Sequence, residues 1–275
     1  MSVGEAGLVG SLVWHSSPVD WCEGNYAIIS SIAEFYNTFS NIIFIIMPPI
    51  LMYLFRDYAR KVHPGIHIVW GLLIFVGLAS AYFHATLSLM GQLLDELSIL
   101  WVYSLTMALF CPRRNLPKVF KNRIVFSALL LFISIFASIL SVWRPYVNAF
   151  ALMTLIIPTV YLLCCELDRV KHKDPEVFSL GIRSLVLMIC AVTIWFNDRM
   201  FCDFYTSMQI TYLHAIWHVA IFLSSYTCCV LFAYFYVQLE RPKIHCKLAY
   251  FPENTLISAF GIPYVDFKQR KSIHD

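Results

Sequence analysis

Seven runs of about 20 mostly apolar residues, each set off by charged or proline-bearing breaks, constrain this chain more than any other feature. A helix of that length is what crosses about 30 Å of hydrocarbon. The runs fall at 35–55, 66–86, 92–111, 124–142, 149–166, 183–201 and 212–236. Arg56, Asp57, Arg60, Lys61 and Pro64 close the first, and the segment from Pro112 to Arg123 closes the third. Trp143, Arg144 and Pro145 mark the fourth break; Lys171, Lys173, Asp174 and Pro175 mark the fifth. Pro48 and Pro49 lie inside the first run, where a kink is expected rather than an end. Only 13% of the 275 residues are charged, against roughly 25% in a soluble domain, too few to coat a globule of this size in water. The expected fold is therefore all-α: a polytopic, seven-transmembrane helix bundle.

Lysines and arginines orient such a bundle, because short cytoplasmic loops collect them. With the N-terminus luminal or outside, 18 of the 20 fall on the cytosolic face, leaving Arg144 and Arg199 on the other. Six spans would put the basic C-terminal tail on the luminal side. The expected topology is seven spans, N-terminus luminal and C-terminus cytosolic. Residues 1–33 contain Asp20 and Glu23, no basic residue and no long apolar core, so they read as an ordered extramembrane segment rather than a signal peptide. The expected organisation is a luminal segment over 1–34, a membrane domain over 35–236 and a polar cytosolic tail over 237–275 with an aromatic stretch at Phe260–Phe267. A net charge of +3 gives no reason to expect a nucleic-acid partner. Six of the nine cysteines lie in or beside spans, where they act as small apolar residues, and Cys246 is on the reducing side. Cys22 and Cys202 fall on the oxidising face and are expected to bond, stapling the N-terminal segment to the loop before the last helix.

Few ionisable residues enter the apolar runs. Those that gather toward one face are Glu34 at the entrance to the first, His84 near the end of the second, Asp95 and Glu96 opening the third, and His214 and His218 opening the seventh. Such residues are costly in lipid and usually functional. The expected topology places all of them at the luminal level. Ser80 and His84 are four residues apart, as are His214 and His218, so each pair shares a helix face. Three histidines from two helices beside a carboxylate match a catalytic zinc site, where three nitrogens leave a fourth position for water. Zinc lowers that water's pKa to about 7; Asp95 is placed to take its proton and Ser80 to hydrogen-bond to it. Spacing alone leaves other readings open. A His-x-x-x-His pair also serves packing, His84 could bond across helices, and Asp95 with Glu96 could favour the positive end of a helix.

The N-terminal segment holds a second cluster. Asp20, Glu23, Asn25 and Glu34 offer side-chain oxygens and Trp21 a main-chain carbonyl, the donor type that calcium takes six to eight of. The spacing is not that of an EF-hand loop, and a turn at Asp20 beside a buried Glu34 is the simpler account of it.

These blocks together resemble the alkaline ceramidases, part of a seven-helix hydrolase superfamily that also holds adiponectin and progestin receptor-like proteins. The resemblance rests on Val19-Asp20-Trp21-Cys22-Glu23 with Asn25-Tyr26, Ala33-Glu34-Phe35-Tyr36-Asn37-Thr38, and Ser80-Ala81-Tyr82-Phe83-His84 with Thr86-Leu87-Ser88. It continues through Gly91-Gln92-Leu93-Leu94-Asp95-Glu96, Trp195, Asp198-Arg199, Tyr212-Leu213-His214-Ala215-Ile216-Trp217-His218 and Gly261-Ile262-Pro263-Tyr264-Val265. It implies an enzyme of the endoplasmic reticulum or Golgi that hydrolyses ceramide, a membrane lipid, to sphingosine and a free fatty acid. It further implies catalytic zinc on His84, His214 and His218, with Ser80 and Asp95 beside the catalytic water. It also implies structural calcium on Asp20, Trp21, Glu23, Asn25 and Glu34. The alternative is a receptor-like signalling protein with a structural zinc.

Overall fold

The computed structural model describes residues 3–116, 120, 122–144, 146–252 and 261–267. Among the described residues eleven α-helices run in the order α1 (Val3–Ser11), α2 (Phe35–Ser40), α3 (Ile42–Leu54), α4 (Arg56–Lys61), α5 (Gly65–Thr86), α6 (Leu89–Phe110), α7 (Arg123–Trp143), α8 (Tyr146–Val170), α9 (Pro175–Met200), α10 (Cys202–Ser207) and α11 (Leu213–Glu240). Seven stretches among the described residues are long and apolar enough to cross a membrane: α2 with α3, then α5, α6, α7, α8, α9 and α11. The count matches the sequence expectation, as does the all-helical character of the bundle.

Local chemistry sets several boundaries. Ser88 caps α6 by accepting from the Gly91 N–H at 3.1 Å. Asn122 caps α7 and Asp174 caps α9, with Pro175 in the first turn where no N–H partner is needed. The first span breaks at Asn41, between α2 and α3, while Pro48 and Pro49 both stay inside α3. The sixth span begins at Pro175 rather than near 183, because Arg183 lies within the helix.

Helix α11 is the axis of the bundle. It packs along α9, touches α2 and α6, and 17 of its 28 residues are buried, among them Phe222, Phe232 and Phe235. Helices α5 and α6 form an antiparallel pair with α3 on the other flank of α5. Helix α7 lies outermost, with Phe132, Ile135, Phe136 and Ile139 exposed, a surface suited to lipid.

The tail is not simply polar. Cys246–Phe251 (β1) and Ile262–Phe267 (β2) form an antiparallel hairpin that packs against α11, α4 and α3. Its Leu248, Val265 and Phe267 are buried in the same core as Tyr58 and Trp70. Residues 253–260 and 268–275 of the expected tail, Lys118 and Lys121 of the basic loop, and Pro145 lie outside the described residues.

Candidate metal centre

Tight reversal between α5 and α6 brings the two helices' polar residues together. Leu87 adopts a left-handed conformation (φ 48°) that ends α5, and α6 starts two residues later. Gly91 allows the close approach, since a Cβ there would stand 2.9 Å from the Phe83 Cα. His84 and Ser80 thus face α6 and α11 from the last turns of α5. Asp95, nearly two turns into α6, comes within hydrogen-bonding reach of Ser80. His214 and His218 occupy the first turns of α11.

The three histidines converge. One potential ligand nitrogen from each lies within 4.8 Å of the others. Ring centroids are 5.1 Å (His84–His214), 5.0 Å (His84–His218) and 4.8 Å (His214–His218) apart. All three side chains are buried. Among the described residues His84 Nε2 and His214 Nδ1 have no hydrogen-bond partner. A buried, unpaired imidazole nitrogen is costly unless something else takes its lone pair, and a metal ion is the ligand that three such nitrogens fit.

Each ring is held from behind. His84 Nδ1 lies 2.5 Å from Glu34 Oε2, the carboxylate–histidine arrangement that orients metal ligands. Ser40 Oγ meets His218 Nδ1 at 2.7 Å, leaving His218 Nε2 on the side of Ser80 Oγ at 3.4 Å. His214 stacks on Trp21 at 3.7 Å and on Trp217 at 4.6 Å, and its backbone lies near the buried Asp198 carboxylate, which accepts from the Cys22 N–H at 3.5 Å. His218, Ser80 and Asp95 line one cavity. Its walls are apolar, among them Phe44, Leu73, Val76, Ile99 and Val102.

The N-terminal cluster lies directly behind this centre. Asn25 Nδ2 donates to Asp20 at 3.1 Å, the Asp20 and Glu34 carboxyls share a hydrogen bond, and the Trp21 N–H donates to Glu34 Oε1 at 3.0 Å. Glu23 accepts the N–H groups of Tyr36 (2.6 Å) and Asn37 (2.8 Å), capping α2 across the chain. Burial pushes the carboxyls of Asp20, Glu23 and Glu34 above the usual range, and the Glu34 charge adds to the shift at Asp20 and Glu23. Two carboxyls that share a hydrogen bond need a proton or a cation between them, so a divalent cation fits Asp20 and Glu34. The expected disulfide joins Cys22 to Cys202, with Cα atoms 5.3 Å apart.

Sequence spacing missed three residues: Ser40, Asn37 and Asp198. Asn37 donates to Glu34 Oε2 at 3.0 Å, and its carbonyl accepts from Ser40 Oγ at 3.0 Å. The only sequence signal for them was their place near or inside blocks already singled out.

Residues 14–266 match the Ceramidase family. The chain belongs to the alkaline ceramidase family. It is 54% identical over 254 residues to an alkaline ceramidase of Drosophila melanogaster, covering 92% of this chain and 88% of the relative. It is 39% identical over 256 residues to human alkaline ceramidase 1, covering 93% and 96%. An alkaline ceramidase of Caenorhabditis elegans is 34% identical over 257 residues, covering 91% and 93%. The stretch matched to the alkaline ceramidases contains the three histidines, Ser80, Asp95, the whole N-terminal cluster and both bonded cysteines.

Proposed function

We propose that this chain is a zinc-dependent amide hydrolase that cleaves ceramide to sphingosine and a free fatty acid within the membrane. The observation that carries this reading is the convergence of three buried histidines, two with orphaned nitrogens, the third of which, His218, lines a cavity together with Ser80 and Asp95. The names of the relatives supply the substrate class.

His84, His214 and His218 would hold the zinc, which when bound supplies a Lewis acid for the amide carbonyl and acidifies a water. Asp95 takes the proton from the attacking water and returns it to the leaving amine. Ser80, in reach of both Asp95 and His218 Nε2, donates to the oxyanion or steadies the water. Phe44, Leu73, Val76, Ile99 and Val102 offer hydrocarbon contact to the lipid chains. Glu34 and the two tryptophans keep the rings aimed.

Calcium on Asp20, Trp21, Glu23, Asn25 and Glu34 would order the N-terminal segment against α2 without taking part in the chemistry. The asymmetry of basic residues supports an N-luminal, C-cytosolic orientation, with the site on the luminal side of the endoplasmic reticulum or Golgi membrane. A receptor-like protein with a structural zinc would have no use for a carboxylate and a hydroxyl beside the metal.

Asp95→Asn separates the two. It keeps the side-chain shape and is not a metal ligand in this account. The expected outcome is a fall in ceramide hydrolysis of about 10²–10⁴-fold with zinc content equal to wild type. Undiminished hydrolysis in that variant would remove Asp95 from the mechanism.

A further inference from the structure

Helix α2 has only six residues, yet a side chain at each end meets a candidate metal ligand. Glu34, its N-cap, holds His84 Nδ1; Ser40, its last residue, holds His218 Nδ1. Asn37 lies between them. Its side-chain amide donates to Glu34 Oε2, and its carbonyl accepts from both Ser40 Oγ and Asn41 Nδ2 (2.9 Å).

A serine hydroxyl has one proton to donate and two lone pairs to accept with. Ser40 spends its proton on the Asn37 carbonyl, so the atom it presents to His218 is an acceptor. His218 Nδ1 must then carry the ring proton. The lone pair is left on Nε2, on the opposite side of the ring, toward Ser80 and the other two histidines. Without an oxygen at this place, the ring could rotate or take the other tautomer, and the ligating lone pair would point away from the centre.

We propose that Ser40 is a positioning residue for the metal centre, acting through His218: it selects the Nδ1–H tautomer and so aims Nε2 at the metal. Ser40 does not line the cavity and takes no part in bond making. The break at Asn41 ends α2 just after Ser40. This inference rests on the zinc reading of the site and adds to it the tautomer and the residue that sets it.

The test compares wild type with Ser40→Ala and Ser40→Thr, each purified in detergent. Zinc affinity is measured by competition with a chelator, and the visible spectrum of the cobalt-substituted protein is recorded. Oxygen partners behind metal-bound histidines typically contribute 10–100-fold to affinity. Ser40→Ala is therefore expected to release zinc at about 10–100-fold lower chelator strength and to alter the cobalt spectrum. Ser40→Thr, which keeps the hydroxyl, is expected to restore both. Wild-type affinity and an unchanged spectrum in Ser40→Ala would overturn the inference alone. So would a Ser40→Thr variant that folds, by thermal unfolding, yet binds as weakly as Ser40→Ala. A wild-type chain that takes up neither zinc nor cobalt would overturn the metal reading itself, and this inference with it.

Discussion

Glu34 serves two clusters at once. One carboxylate oxygen accepts the Trp21 N–H; the other faces His84 Nδ1 and the Asn37 amide. Read from spacing, Glu34 shares the luminal level with His84 and offers a possible calcium donor, but nothing in sequence shows that residue 34 lies across from residue 84. That pairing depends on how the N-terminal segment folds back: Ala33 and Glu34 hydrogen-bond through their backbone N–H groups to the Ala85 and His84 carbonyls. Ser40 was illegible for a similar reason, since a serine in an apolar helix usually bonds to its own backbone. His84, His214, His218, Ser80 and Asp95 could be read because each pair of them is four residues apart on one helix or stands out as a charge in an apolar run. For Glu34→Gln we expect zinc affinity to fall about 10–100-fold, since the amide keeps the shape but loses the charge that orients His84. Hydrolysis should also lose its response to added calcium. Chelator competition and a calcium titration of activity check the two effects; a variant that keeps both would break the link between the clusters.

The elements carry the site through close helix contacts. Gly77, on α5, faces the α2–α3 break, where a Cβ would stand 2.5 Å from the Phe44 Cβ and 3.2 Å from the Asn41 carbonyl oxygen. The backbone at Asn41 cannot yield as a side-chain tip would, so Gly77→Ala should push α3 away from α5. Overpacking of this kind costs about 1–3 kcal/mol. The expected outcome is a lower Tm in detergent, and an unchanged Tm would show that the two helices adapt. Helix positions were legible because hydropathy and breaks agree on them. The sixth was misplaced at its start because Arg183 reads as a loop charge. In the structure its guanidinium lies 5.7 Å from the Tyr250 ring centre and donates to the Tyr250 hydroxyl at 3.1 Å, so the charge is met within the fold. The hairpin was missed outright. Val265 and Phe267 alternate with half-buried neighbours as a strand requires, but six residues of alternation after a polar stretch are a weak signal.

At the scale of the whole chain, the N-terminal segment is tied to the bundle at several points, all at one end. Cys22 is bonded to Cys202 before α11, Trp21 stacks on His214, Glu34 reaches His84, and Ser17 donates to Gln92 on α6 at 3.0 Å. The segment thus closes over the candidate metal centre, so the polar residues of a sparsely charged chain share one depth while the apolar cavity leads inward. That distribution suits a lipid whose amide must reach zinc while its chains stay in hydrocarbon. On the proposed reading one metal, held by these histidines, supports ceramide hydrolysis. The most direct test of that reading measures zinc by mass spectrometry and fatty-acid release from ceramide in detergent micelles, with calcium supplied, for wild type and His218→Ala. The account predicts about one zinc per wild-type chain with hydrolysis, and the loss of both in the variant. Zinc in the wild type with no cleavage of ceramide, phytoceramide or dihydroceramide would contradict the hydrolase and leave a structural metal in a receptor-like bundle.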